Sequence, residues 1–245
     1  MTINWYPGHM RKASKELRKV LPGTRLILEV LDARIPRSSS NPSLAELGPG
    51  IPRLKILNKA DLADTDVTAA WQRAIDHETG SRCLLSSLQQ PINRDQVITM
   101  ANSFIATEGD DQAAEPAPTK AGQILIMGIP NVGKSTLINI LAGRKLAKTG
   151  NEPAVTRGQQ RIKLDDSWYL VDTPGLLWPR LEDQDGAYRL AITGTIRNTA
   201  IDIADIGWSA AELLLARHRD LLGARYQLPD TCADAESCLT HIARA

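Results

Sequence analysis

The chain carries Gly128-Ile-Pro-Asn-Val-Gly133-Lys134-Ser135 between an apolar run, Gln123–Met127, and a helical pattern, Lys134–Ala142. A strand, a loop bounded by glycines and a helix that begins with Lys-Ser are together typical of a phosphate-binding loop. The glycines allow backbone N–H groups to surround an anion, Lys134 can reach phosphates, and the Ser135 hydroxyl can bind Mg²⁺. The sequence therefore predicts a nucleotide-phosphate site on an α/β fold.

Strand and helix patterns alternate on both sides of this loop. Short apolar runs predict strands at Arg25–Leu31, Arg53–Leu57, Arg82–Leu85, Gln123–Met127, Gln160–Leu164 and Trp168–Val171. Helical spacing predicts helices at Met10–Leu21, Asp66–Thr79, Asp95–Ala106 and Lys134–Ala142. The alternation indicates a parallel sheet with crossover helices, and its last two strands are expected to pair around an Asp165-Asp166 turn.

The second half of the chain contains a linker and a helical region. Thr107–Lys120 is acidic, contains prolines and is poor in apolar residues, which predicts an exposed linker. Beyond about Leu181 the strand signal ends, and helices are predicted at Trp208–Leu222 and from near Asp234. We expect one domain over 1–180 and a small helical domain over 181–245, which is incomplete because the chain stops inside a predicted helix.

A second motif follows the predicted strand Trp168–Val171. It is Asp172-Thr-Pro-Gly175, in which the Asp172 carboxylate would hold Mg²⁺ through water and the Gly175 N–H would meet a γ-phosphate. A threonine between the two motifs is expected to sense Mg²⁺ and the γ-phosphate. Thr149 and Thr156 are the candidates, and Thr156 is the better placed.

A third motif, Asn58-Lys59-Ala60-Asp61, follows another apolar strand. Asp61 can accept hydrogen bonds from guanine N1–H and the exocyclic amine, and adenine would leave that carboxylate unpaired. The Lys59 stem would lie along the base plane, and the turn at Ser86-Ser87 would meet the guanine oxygen. An isolated match is more often a turn with an Asp helix cap, but beside the other motifs it predicts guanine specificity.

The order of these motifs, with the guanine motif before the phosphate-binding loop, resembles that of circularly permuted GTPases. Trp5-Tyr-Pro-Gly-His9-Met10, Asp32-Ala-Arg-Ile-Pro36 and Thr156-Arg-Gly-Gln are similar to segments of the ribosome biogenesis GTPase A (YlqF/RbgA) family. The resemblance covers nearly the whole chain. It implies a circularly permuted Ras-like P-loop GTPase domain closed through the linker, a small all-helical C-terminal domain, and a low intrinsic rate of GTP hydrolysis.

The resemblance also implies a set of site residues. The nucleotide would contact Asn58, Lys59, Asp61, Ser86, Ser87, Asn131, Val132, Gly133, Lys134, Ser135, Thr136, Thr156 and Gly175. Mg²⁺ would be held by Ser135, Thr156 and Asp172. Asn131 resembles the asparagine of GTPases that use potassium as a further cofactor.

The catalytic group is the least determined part of the sequence. Leu176 and Leu177 follow Gly175, where other GTPases place a glutamine that orients water. His9 is the substitute that the resemblance suggests, acting together with Lys134. The alternatives are that His9 contacts rRNA or caps the basic helix that follows it.

The implied partners are GTP or GDP and a precursor of the large ribosomal subunit with its rRNA, in late assembly, with the protein acting as a monomer. Two other interpretations stay open. One is a GTPase with a different RNA or protein client, and the other is a GTP-gated RNA-binding module, which the missing glutamine favours.

Composition and charge set the remaining limits. The net charge is +1, but basic residues cluster before Ser40 and again at Arg144, Lys145, Lys148, Arg157, Arg161 and Lys163. Such clusters mark either a surface for phosphate backbone or a solvated helix face. Cys83, Cys232 and Cys238 lack disulfide or zinc spacing, which predicts buried or idle thiols. With no apolar run of membrane length and no signal-peptide pattern, the expected compartment is the cytoplasm.

Overall fold

The computed structural model describes residues 17–42, 48–108, 121–146, 161–173, 175, 183–196 and 202–244. These residues divide between two compact units, one containing the described residues up to 175 and the other those from 183 onward. No helix among the described residues is long and apolar enough to cross a bilayer.

The first unit is built on a six-stranded sheet of order β3-β2-β1-β4-β6-β5. The strands are β1 Thr24–Asp32, β2 Arg53–Asn58, β3 Ser81–Ser86, β4 Gly122–Met127, β5 Arg161–Lys163 and β6 Trp168–Asp172. Pairs β3-β2, β2-β1, β1-β4 and β4-β6 are parallel, and β5 pairs antiparallel with β6. The predicted parallel sheet and the predicted final strand pair are both confirmed.

The helices in this unit follow strands, as the crossover pattern predicts. They are α1 Pro36–Ser39, α2 Thr65–Asp76, α3 Arg94–Glu108 and α4 Lys134–Ala142, with a 3₁₀ turn at Ala60–Leu62. Asp64 caps α2 by accepting a hydrogen bond from the Val67 N–H. The predicted basic helix is described only at residues 17–20, which are helical, and its earlier part lies outside the described residues.

Two predicted helix boundaries in this unit were wrong. Helix α2 ends at Asp76 rather than Thr79, because the chain turns through Gly80, whose φ of 70° is outside the helical region. Helix α3 continues through Glu108, so the predicted linker does not begin at Thr107. The rest of the predicted linker, 109–120, lies outside the described residues.

The second unit is helical among its described residues, with α5 Gln184–Ile192, α6 Ile203–Tyr226 and α7 Ala235–Arg244. The predicted Trp208–Leu222 helix is the middle of α6, which is broken at His218 by a non-helical φ of −141°. Ala211 and Leu222 of α6 pack against Ala235 and Cys238 in a buried cluster. The helix α5 was not predicted individually, and Asp183 caps it by accepting from the Gly186 N–H.

The core of the first unit lies on both faces of the central strands. Strand β1 is buried along almost its whole length because β2 and β4 flank it and helices cover the sheet. The thiols of Cys83, Cys232 and Cys238 are buried, as predicted. This rigid sheet fixes the positions of the turns that leave its carboxyl edge.

Candidate nucleotide-binding site

The strand order and register bring the predicted motifs to one edge of the sheet. Ser86 at the end of β3 pairs with Asn58 at the end of β2, which in turn pairs with Asp32 at the end of β1. On the other side, Asp172 at the end of β6 pairs with Ile126 of β4, and β4 leads into the loop 128–133. Ligands of open parallel sheets bind at this carboxyl edge.

The loop 128–133 has the strained backbone that a phosphate cradle requires. Gly133 caps α4 with φ of 97°, and Asn131 has φ of 61°, both in the left-handed region. A Cβ at Gly133 would overlap the Asn58 Nδ2 atom, and one at Gly128 would lie 2.7 Å from the Val30 carbonyl oxygen. Both glycines are therefore required by packing as well as by backbone conformation.

The guanine motif is hydrogen-bonded to this loop. Asn58 Nδ2 donates to the Val132 carbonyl oxygen at 2.8 Å, and Lys59 Nζ donates to the Asn131 carbonyl oxygen at 2.8 Å. These contacts join residues more than seventy positions apart in the chain. They tie the turn after β2 to the phosphate loop, so the two motifs form one rigid assembly.

Asp32 is a buried carboxylate that connects the assembly to β1. Its side chain is 4% exposed and forms ion pairs with Lys59 at 2.8 Å and with Arg34 at 2.7 Å. Burial alone would raise the pKa of Asp32, but the hydrogen bonds and charges of Arg34 and Lys59 outweigh burial and lower it. Asp32 thus forms a local ion pair with Arg34 and also supports Lys59, which is hydrogen-bonded to the phosphate loop.

A second buried ion pair links α4 to β6. Lys134 Nζ lies 3.2 Å from Asp172 Oδ1, and their side chains are 6% and 1% exposed. Asp172 Oδ2 is buried and has no hydrogen-bond partner among the described residues. Burial raises the pKa of Asp172, and Lys134 opposes that rise.

This arrangement fits a hard cation. A buried carboxylate oxygen without a partner is energetically costly unless a ligand satisfies it. Ser135, half-buried in the first turn of α4, adds a hydroxyl oxygen. Carboxylate and hydroxyl oxygens are ligands that Mg²⁺ accepts, usually with several waters and substrate phosphates.

The turn after β6 is held against the phosphate loop. The Thr173 hydroxyl is buried and donates to the Ile126 carbonyl oxygen at 2.7 Å. A Cβ at Gly175 would lie 3.0 Å from Pro130 backbone atoms, so Gly175 is in close contact with the loop. Sequence reasoning did not single out Thr173, although its position directly after a strand-ending aspartate was a usable signal.

The residues predicted to meet the base lie at the ends of β2 and β3. Lys59 has φ of 60°, and this turn carries Asp61 onto an exposed 3₁₀ segment. Ser86 and Ser87 are buried, and Ser87 Oγ accepts from the Gln90 N–H at 2.9 Å. The contacts of these residues with the base of a nucleotide stay predictions.

The remaining predicted residues divide into two groups. Val132 is buried in the loop, and Thr136 is half-buried in the first turn of α4. His9, Thr156 and Thr149 lie outside the described residues, as do Leu176 and Leu177.

Comparisons with known proteins agree with this geometry. Residues 123–214 match the family described as 50S ribosome-binding GTPase. Ribosome biogenesis GTPase A of Bacillus pumilus is 40% identical over 234 residues, covering 96% of this chain and 83% of the relative. Mitochondrial ribosome-associated GTPase 1 of Mus musculus is 36% identical over 200 residues, covering 78% of this chain and 60% of the relative.

Two solved structures share the fold. GDP-bound TM YlqF superposes with a TM-score of 0.59 at 22% identity, covering 94% of this chain and 92% of that one. GNP-bound YlqF from T. maritima superposes with a TM-score of 0.57 at 23% identity, covering 95% and 94%. Together with the motif order along the sheet, these similarities show that the chain belongs to the ribosome biogenesis GTPase A family of circularly permuted GTPases.

Proposed function

We propose that this protein binds GTP with Mg²⁺ at the carboxyl edge of its sheet and hydrolyses it on a precursor of the large ribosomal subunit, late in assembly. The observation that carries the proposal is the pair of hydrogen bonds from Asn58 and Lys59 to the phosphate loop. They join a guanine motif and a phosphate cradle into one site. The names of the relatives, which are ribosome biogenesis and ribosome-associated GTPases, support the ribosomal client.

Different residues bind the base, the phosphates and the Mg²⁺ ion. Asp61 and the Lys59 stem bind the base, with the Ser86-Ser87 turn at its oxygen. The backbone from Asn131 to Gly133, the first turn of α4 including Lys134 and Thr136, and the Gly175 N–H bind the phosphates. When bound, Mg²⁺ neutralises charge that develops on the phosphates, and Ser135, Asp172 and Thr156 would hold it.

Catalysis is assigned to His9 together with Lys134. Leucines follow Gly175 and cannot orient water, so hydrolysis by the free protein is expected to be slow. A neutral His9 would orient or polarise the attacking water once the protein is bound to ribosomal particles. General base catalysis of this kind increases the reaction rate by about 10²–10⁴-fold.

His9→Ala tests this assignment. Turnover stimulated by ribosomal particles should fall at least tenfold, while the dissociation constant for GTP and the binding of particles stay unchanged. That pattern places the loss in the transition state alone. His77→Ala, which removes an exposed imidazole at the end of α2 and keeps the backbone N–H that caps the helix, is the matched control and should leave turnover intact. Unchanged turnover in His9→Ala would mean that backbone or rRNA groups orient the attacking water.

Potassium is proposed as an additional cofactor through Asn131. The Asn131 backbone is already fixed in the left-handed region by the turn of the loop. Hydrolysis measured in KCl should exceed hydrolysis in NaCl at equal ionic strength, and Asn131→Ala should abolish that difference. Equal rates of the parent protein in the two salts would remove potassium from the mechanism.

The helical domain, 181–245, is proposed to respond to the nucleotide as an attached but separate domain. In chain order, the segment after Asp172 is followed by helix α5 and by no further strand among the described elements. Ordering of this segment by a γ-phosphate would therefore act on the helical domain without passing through another strand.

Sedimentation with ribosomal particles tests the proposed client. The protein, as a monomer, should cosediment with large-subunit precursors in the presence of a non-hydrolysable GTP analogue and be released with GDP. Lys134→Ala should lose this nucleotide dependence. If the protein still hydrolyses GTP but cosediments with no ribosomal particle in either nucleotide state, its client is a different one.

A further inference from the structure

A cationic groove lies in the first unit, between the end of α4 and strand β5. Its volume is about 650 Å³, and its cationic lining residues are Arg94, Arg144, Arg161 and Lys163. None of the described residues that line it is acidic. The cations come from three separate elements, the start of α3, the end of α4 and β5, so the groove is a product of the fold rather than of one charged helix face.

Arg94 is held in place by the helix that it faces. Its Nε atom donates to the Leu141 carbonyl oxygen at 3.0 Å, near the carboxyl end of α4. A guanidinium at this position satisfies one of the terminal carbonyls and interacts favourably with the helix dipole. Arg94 is half-buried and lines the groove, so its side chain has little freedom left to lose when it binds a ligand.

Arg161 is held in a different way. Its guanidinium carbon lies 3.8 Å from the centre of the Tyr169 ring, the distance of a stacked cation–π pair. The Tyr169 hydroxyl donates to Gln123 Oε1 at 3.1 Å, which fixes the ring. Stacking occupies the face of the guanidinium and leaves its edge N–H groups for bidentate contacts.

The other two cations are less constrained. Arg144 is exposed just beyond the end of α4. Lys163 pairs with Asp166 at 2.6 Å across the turn between β5 and β6, with both side chains exposed, so it contributes least. Arginines rather than lysines therefore dominate the groove, and arginine is the residue whose planar fork matches phosphate oxygens.

We propose that this groove binds the phosphodiester backbone of RNA, with Arg94 and Arg161 as the preorganised contacts and Arg144 as the peripheral one. The choice of RNA as the partner rests on the proposed function. None of the described residues that line the groove is one of the proposed nucleotide-binding residues, so we expect RNA binding here to require neither GTP nor hydrolysis.

Salt-dependent RNA binding tests the groove. The full chain is titrated against a fluorescein-labelled RNA duplex, and anisotropy is measured at several KCl concentrations. Arg144→Glu/Arg161→Glu should weaken binding at least tenfold and reduce the slope of log K against log [KCl] by about two, since each lost phosphate contact removes nearly one. The matched control, Arg73→Glu/Arg82→Glu, makes the same charge change at exposed positions outside the groove and should alter affinity less than twofold.

The single variant Arg144→Glu guards against misfolding, because Arg144 makes none of the stacking contacts of Arg161. It should lower the slope by about one while leaving the thermal unfolding temperature and the affinity for fluorescent GDP unchanged. Parent-like RNA binding by both groove variants overturns the proposal. The proposal is also overturned if the groove variants keep RNA binding but lose binding of polyglutamate, because the groove would then be a site for acidic protein.

The outcome separates this inference from the proposed function. If the parent cosediments with ribosomal particles but RNA affinity is indifferent to the groove, only the groove assignment fails. If RNA binding depends on the groove but no ribosomal particle is bound, the proposed client fails and the RNA site stands.

Discussion

At the scale of single residues, the proposed guanine specificity rests on one exposed carboxylate, Asp61. Asp61→Asn should weaken GTP binding by roughly 3 kcal/mol, because the amide cannot accept from both guanine N–H groups. Binding of a xanthine nucleotide should improve, since the amide can donate to the carbonyl that replaces the exocyclic amine. Titration of both nucleotides measures the switch.

Asp66→Asn is the control for Asp61, because Asp66 is an exposed aspartate in the first turn of α2. It should bind GTP as the parent does. Equal GTP affinity in Asp61→Asn and the parent would remove Asp61 from the base site.

We expect Asp32 to act on the nucleotide through Lys59, with which it forms a 2.8 Å ion pair, and therefore to be a positioning residue. Asp32→Asn leaves Lys59 Nζ facing an amide instead of a carboxylate, and hydrogen bonds to charged groups contribute about 1.5–3 kcal/mol. We expect GTP and GDP affinity to fall at least tenfold while selectivity for guanine over adenine persists. Fluorescent nucleotide titration gives both quantities.

The Arg34→Gln variant separates the effect of losing the Lys59–Asp32 contact from that of losing the Arg34–Asp32 ion pair. It removes one partner of Asp32 but leaves the Lys59 contact in place. Its nucleotide affinity should stay within about threefold of the parent. A loss of nucleotide affinity as large as that of Asp32→Asn would show that Asp32 does not act through its contact with Lys59.

At the scale of elements, strand β1 contains a buried glutamate, Glu29. Burial raises the pKa of Glu29, and the nearby Lys55 and Arg53 oppose the rise without cancelling it. The folded protein therefore holds this proton to a higher pH than the unfolded chain does. Stability is lost as pH rises from the ordinary glutamate pKa through the raised one.

Glu29→Gln should consequently raise the thermal unfolding temperature at pH 8, with a difference that shrinks as the pH approaches 4. Calorimetry across that range measures it. Glu78→Gln, which removes the half-exposed partner of Lys55, is the control and should change stability by less than about 1 kcal/mol at any pH. A pH-independent effect of Glu29→Gln would contradict the buried titration.

The elements also show what sequence can and cannot predict. Strand positions were predicted within about one residue where their ends are described, because apolar runs bounded by turn residues mark buried parallel strands strongly. The break in α6 at His218 was not predicted, since its flanking residues keep helical spacing. Asn58 and Lys59 could be assigned by motif, but their bonds to the phosphate loop depend on strand order.

At the scale of the whole molecule, the permuted order places the first strand of the sheet at its centre. One edge of β1 pairs with β2, which follows closely, and the other pairs with β4, which begins at Gly122. A chain that ends at residue 108 therefore contains β1–β3 with one apolar central edge unpaired. Such edges pair with other chains.

We expect the 1–108 fragment to self-associate, and the complementary 109–245 fragment to restore a soluble complex when the two are coexpressed. Light scattering and gel filtration measure this. A monomeric, soluble 1–108 fragment would mean that another segment covers the edge of β1.

The position of β1 in the sheet also has a consequence for synthesis of the protein. About 90 residues separate the end of β1 from the start of β4. At translation rates of roughly 5–20 residues per second, the nascent chain carries this apolar edge for about 5 to 20 seconds before its partner is made. During that interval the edge is available to chaperones and to neighbouring nascent chains. The vulnerable moment for this fold therefore lies in the middle of its translation, between the synthesis of β1 and that of β4.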